Sequence, residues 1–166
     1  MYIDKWLDSV KCGGGDDFML LLDYFAMKNK KDFELSEVLN DLHLGTVLGE
    51  KTPPEEEGRY AFFWTSEQKV NHCDFHIPIT VVMDVAALLL QSFVEGKIDA
   101  HVASSHIKQG VEFSITAQKE DTKKMICDLE DAAERLEMFY PDFVHKDIPK
   151  LKICVIEICN ELKAYC

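Results

Sequence analysis

Pro78-Ile79-Thr80-Val81-Val82-Met83-Asp84-Val85-Ala86-Ala87-Leu88-Leu89-Leu90-Gln91-Ser92-Phe93-Val94-Glu95-Gly96 is apolar in almost every direction around a helix. Thr80, Asp84, Gln91 and Glu95 recur at spacings of four and seven and leave one narrow polar stripe. A helix apolar nearly all round belongs either in a protein core or in a bilayer. A bilayer span needs about 20 predominantly apolar residues, whereas this run is interrupted by Asp84 and Gln91. It reads as a buried helix over about 79–95, with the rest of the chain packed around it. Pro78 suits the helix start, Thr80 is a candidate cap and Gly96 supplies the stop. The polar stripe is expected to meet solvent; if it were covered, Asp84 would need a hydrogen-bonding partner.

Upstream, residues 2–10 read as a short helix with Ile3, Trp6, Leu7 and Val10 on one face, broken by Gly13-Gly14-Gly15. Asp16 or Asp17 then caps a second helix carrying Phe18, Leu21, Leu22 and Phe25 at helical spacing. A third follows from Glu34 to Leu44 and ends at Gly45. Gly45 to Gly58, with Pro53-Pro54 and Glu55-Glu56-Glu57, has the composition of a solvated loop. Arg59 to Thr65 has the aromatic content of a strand. Downstream of the central helix, residues 98–103 and 111–117 alternate apolar and polar side chains, and Ser104 to Gly110 would join them as a hairpin. Two amphipathic helices finish the chain, one from Met125 to Tyr140 and one from Leu151 to Tyr165. The expected fold is α+β and mainly helical. About six helices surround the 79–95 segment, with a small antiparallel sheet from 59–65, 98–103 and 111–117, in one domain spanning 1–166.

Thirty acidic residues oppose 16 lysines and two arginines, Arg59 and Arg135, for a formal net charge of −12. Phosphate binding needs a basic face, so nucleic acid is not expected as a direct ligand. A basic partner is the natural complement, and solubility is the plainer use of the charge. The N-terminus lacks a basic region followed by an apolar core, so no secretory signal is expected. Six cysteines are spread out without a C-x-x-C pair, which fits reduced thiols in a cytoplasmic protein. Cys127, Cys154 and Cys159 fall in helical patterns and read as small buried hydrophobes.

Asn71-His72-Cys73-Asp74-Phe75-His76 is the one concentrated group of metal-ligand types. His72, Cys73 and His76 are weak zinc candidates, with His101 or His106 as a fourth ligand. Structural zinc sites pair ligands at two fixed spacings, and one half is missing here. Lys11-Cys12-Gly13-Gly14-Gly15-Asp16-Asp17 looks like an anion-binding turn, but neither glycine-rich phosphate fingerprint is present. Cys12 has no neighbouring base to make it a nucleophile. No G-x-S-x-G, H-E-x-x-H or EF-hand loop occurs, so no catalytic residue is assigned and no cofactor is expected.

Asp128, Glu130, Asp131, Glu134 and Glu137 crowd one helix, with Arg135 the only base between Asp128 and Asp142. Like charges three or four apart cost a helix roughly 0.2–0.5 kcal/mol per pair, and carboxylates near the C-terminal pole oppose the dipole. A positively charged partner would turn that cost into attraction. In its charge balance and its acidic stretches Glu55–Glu57 and Asp128–Glu137, the chain resembles the bacterial immunity proteins, including those of contact-dependent inhibition systems. The resemblance implies a non-catalytic cytoplasmic protein that occludes a toxin domain, possible nucleases among them. Those eight carboxylates would form the contact, with Tyr60 or Trp64 as aromatic anchors. A metal-dependent enzyme or regulator using His72, Cys73 and His76 is the alternative. A homodimer is a third arrangement, and neither membrane nor nucleic acid is an expected partner.

Overall fold

The computed structural model describes residues 4–45, 61–66, 69–75, 78–139 and 148–166. In chain order the elements are α1 (Asp4–Lys28), β1 (Asp32–Glu34), α2 (Leu35–Asp41), β2 (Ala61–Ser66), β3 (Lys69–Asp74) and α3 (Pro78–Glu95). There follow β4 (Ile98–Asp99), α4 (Ala100–Ala103), β5 (Glu112–Thr116), α5 (Lys119–Ala133), α6 (Leu136–Phe139), α7 (Ile148–Leu162) and a 3-10 turn, Lys163–Tyr165. The fold is α+β and mainly helical, as expected.

α3 is the buried centre. Every described side chain from Ile79 to Ser92 is buried, and the helix packs against α1, α5, α7 and β5. Pro78 is its first residue, so Thr80 lies inside the helix and does not cap it. Gly96 follows its last turn at φ +78°, the left-handed conformation that glycine adopts without a Cβ penalty. The expected solvent stripe is corrected: Thr80, Asp84 and Gln91 are all enclosed, and of the stripe only Glu95 is exposed. Gln91 is satisfied locally, its Nε2 donating to Glu95 Oε2 at 2.8 Å and to the Lys97 carbonyl at 3.3 Å. Ser92 joins helix to sheet, donating to the Leu88 carbonyl at 3.0 Å and accepting from the Ile115 amide at 2.9 Å.

α1 corrects the expected break at Gly13-Gly14-Gly15, because one helix runs through it. Each interior glycine costs about 1 kcal/mol relative to alanine, but docking against α3 and α7 opposes that local cost. Phe18, Leu21, Leu22 and Phe25 are enclosed, each worth roughly 1.5–3 kcal/mol on burial, and Lys5 in the first turns pairs with Glu161 of α7. Asp17 is consequently a buried interior residue of the helix and caps nothing.

The sheet also differs from expectation. β5 is central, antiparallel to β4 through Ile98↔Phe113 and Asp99↔Glu112. On its other edge lies β1, parallel, in the register Asp32↔Ser114, Phe33↔Ile115 and Glu34↔Thr116, so the sheet is mixed. The strand expected over 98–103 stops after Asp99, whose carboxylate accepts from the His101 and Val102 amides at 3.0 and 3.1 Å and starts α4. The aromatic strand expected at 59–65 forms its own antiparallel hairpin instead, β2 with β3. Phe25 stacks on Phe113 at 4.2 Å between ring centres, with Phe33 edge-on to both, which fastens the sheet to α1. The third helix is α2, shorter than 34–44, since Glu34 belongs to β1.

Candidate partner-binding surface

α5 buries Met125, Ile126, Leu129, Ala132 and Ala133 and turns its charges outward. α7 lies alongside in the opposite direction: Glu134 meets Lys152, while the Ile126 carbonyl is 4.0 Å from Cys159 Sγ. The acidic residues are therefore not left to repel one another. Asp128 pairs with Lys124, Asp131 with Arg135 at 2.6 Å, Glu134 with Lys152 at 2.8 Å and Glu130 with Lys163 at 2.6 Å. The hydrogen bond to Glu130 is the main cause raising the Lys163 ammonium above its ordinary range. Lys152 and Lys163 reach α5 from 18 and 33 residues away in sequence, which is why spacing along α5 alone overstated its repulsion. Exposed ion pairs contribute about 0–1 kcal/mol each, and Asp131 and Glu134 keep 66% and 71% of their side chains open to solvent. Glu137 is exposed on α6, which follows a turn at Glu134 and Arg135.

Beside this charged seam α7 exposes Ile153 and Ile156, at 57% and 39%. At 100° per residue, Ile156 lies about 40° and Ile153 about 100° around the helix from Lys152, so Ile156 adjoins the salt-bridged edge and Ile153 lies just over a quarter turn from it. An apolar patch edged by charge has the anatomy of an interface centre. Sequence reading passed over both residues because they fall outside the inward stripe of Leu151, Cys154, Val155, Ile158 and Leu162. Their signal was an apolar pair three apart on the wrong face.

A cleft opens between α2 and α5, with a volume of ≈ 190 Å³. Ser36, Leu39, Asn40 and Gly45 line one side, and Asp121, Lys124, Met125 and Asp128 the other. Asp121 also borders an adjoining recess with Glu34, Thr116 and Gln118. Of the carboxylates singled out from sequence, Asp128 alone belongs to this cleft.

The family profile Immunity protein 68 matches residues 2–147. The chain belongs to that family. No match was found among curated proteins or among solved structures. The Immunity protein 68 match covers α1 to α6 and bears out the resemblance drawn from charge and acidic stretches, while Lys152, Ile153, Ile156 and Lys163 lie beyond it.

The remaining candidate residues of this Immunity protein 68 chain fall elsewhere. Glu55, Glu56, Glu57, Tyr60 and His76 lie outside the described residues. His72 and Cys73 occupy successive positions of β3, paired with Phe63 and Phe62 of β2. His101 Nδ1 is 2.6 Å from the Ile107 carbonyl, and His106 bridges Ser104 Oγ at 2.7 Å and Asp23 Oδ1 at 3.2 Å. Those two imidazoles tie the 104–110 loop to itself and to α1. Among the described residues no three His, Cys, Asp or Glu side chains gather as a metal site. Cys154 and Cys159 are buried as expected, whereas Cys127 is exposed on α5, a correction that follows from its place opposite the inward stripe. Burial pushes the Cys159 thiol up to about 12, with Glu130 adding to the shift and Lys163 opposing it. No helix among the described residues is long and apolar enough to cross a membrane.

Proposed function

We propose that this protein is a non-catalytic immunity protein that neutralises a toxin by covering a basic surface on it. The observation that carries the reading is family membership over residues 2–147. The net charge of −12 supports a basic partner, since opposite potentials steer encounter and can raise association rates by about 10–10³-fold. A toxin domain that handles nucleic acid presents such a surface, so a nuclease is the favoured class. Asp128, Glu130, Asp131, Glu134 and Glu137 form the charged part of the contact, with Ile153 and Ile156 as its apolar centre and Glu55, Glu56 and Glu57 contributing from their loop. On docking, toxin lysines and arginines replace Lys124, Arg135, Lys152 and Lys163 as the partners of these carboxylates. Truncating an apolar anchor typically costs 2 kcal/mol or more, roughly thirtyfold in affinity, whereas rim charges act mainly on the association rate.

The test uses the cognate toxin that membership of the family implies. Glu130→Lys, Asp131→Lys and Glu134→Lys together are expected to slow association at low salt by about tenfold or more, and Ile153→Ala with Ile156→Ala to speed dissociation. Wild-type rates in both variants would remove this face from the interface.

A further inference from the structure

We propose that the cleft between α2 and α5 is the pocket for one lysine or arginine side chain of the toxin, an assignment that rests on the neutralisation reading above. The outer carboxylates of α5 lie on an open helix face, where any cation can approach and none is oriented. The cleft differs because it has walls. Leu39 and the enclosed Met125 line it with apolar groups, Ser36 and Asn40 supply polar ones, and Asp121 and Asp128 stand two turns apart on α5. Lysine and arginine have this same division, an apolar stem behind a charged head that stays hydrated or paired. The ≈ 190 Å³ of space holds one such side chain and is too small for a helix or strand.

Charge within the cleft is unevenly committed. Lys124 occupies Asp128, whereas Asp121 has no ion pair among the described residues and is shared with the recess beside Glu34. Asp121 sits in the first turn of α5, where backbone amides favour an anion, so folding tolerates an unpaired carboxylate there. A partner's cation entering over Leu39 therefore meets Asp121 without displacing an internal base. Together with the overall charge of −12, this makes a basic side chain the complementary occupant.

The experiment titrates ¹⁵N-labelled protein with N-acetyl-arginine methylamide, its lysine counterpart, and the uncharged norleucine analogue of similar length. Shifts from either cation are expected to concentrate on Ser36, Leu39, Asn40, Asp121 and Met125, with the norleucine analogue inactive. Asp121→Asn should weaken the effect at least about fivefold, and Ser36→Trp, which fills the mouth without altering charge, should abolish it. Shifts equally strong at Glu130, Asp131 and Glu134, or unchanged in both variants, would overturn the assignment. A toxin-protection assay separates the two readings. If the wild type protects and Asp121→Asn with Ser36→Trp protects with equal affinity, the cleft fails alone; if the wild type does not protect, neutralisation itself fails.

Discussion

Asp84 is the residue most at odds with its surroundings. It is 1% exposed, neither carboxylate oxygen has a hydrogen-bond partner among the described residues, and the other buried carboxyl, Asp17, faces it from α1. Burial first, and the Asp17 charge second, hold its carboxyl well above the ordinary value of 3.8. The native state therefore keeps a proton that the unfolded chain gives up, and stability falls as pH rises from the unfolded value toward the folded one. Asp84→Asn removes that dependence. As pH rises above the ordinary carboxylate range, urea denaturation of the wild type should lose up to about 1.4 kcal/mol per pH unit relative to the variant, until the folded carboxyl itself ionises. Parallel curves would mean that Asp84 is ionised and compensated in the fold. Sequence made Asp84 visible, because it interrupts an otherwise apolar run. Its neighbour was not visible: Asp17 follows a triple glycine and has the local look of a cap, and only the tertiary packing of α1 on α3 shows otherwise.

Elements were legible wherever one face or one composition settled their environment. α3 needed only its apolar surround, and β5 only its alternation of Phe113 and Ile115 against Glu112, Ser114 and Thr116. Those that escaped depend on partners distant in the chain. β1 is three residues long and is defined by pairing with residues 82 positions later, so no local pattern announces it. The end of α3 makes a clean test of the local physics. Gly96 adopts φ +78°, and a Cβ there would meet nothing within 4 Å. Gly96→Ala should therefore cost only the left-handed penalty, about 1–2 kcal/mol in equilibrium unfolding. A neutral result would mean that α3 ends by some other geometry. α5 teaches the complementary lesson. Asp131 and Glu134 are exposed while Asp128 and Glu130 are half-buried, and two of the lysines that relieve them, Lys152 and Lys163, come from α7 and the turn after it, beyond the reach of any pattern along α5.

For the whole molecule, internal pairing of Asp128, Glu130, Asp131 and Glu134 reduces the local field of α5 without changing the excess of acid over base, 30 against 18. Long-range steering would survive such pairing, because it depends on the summed charge, while the proposed contact would exchange those partners. In the proposed contact the two effects would divide between rates: salt screens approach over about 8–10 Å at 0.10–0.15 M, and the exchanged pairs and apolar centre would govern departure. The decisive measurement is the association rate of the intact protein with its cognate toxin, taken as a function of ionic strength alongside toxin activity. Neutralisation by an acidic face predicts a stable complex that silences the toxin, with an association rate falling at least about tenfold between 0.01 M and 0.5 M salt. A toxin left active, or bound at a rate that salt does not alter, would contradict it.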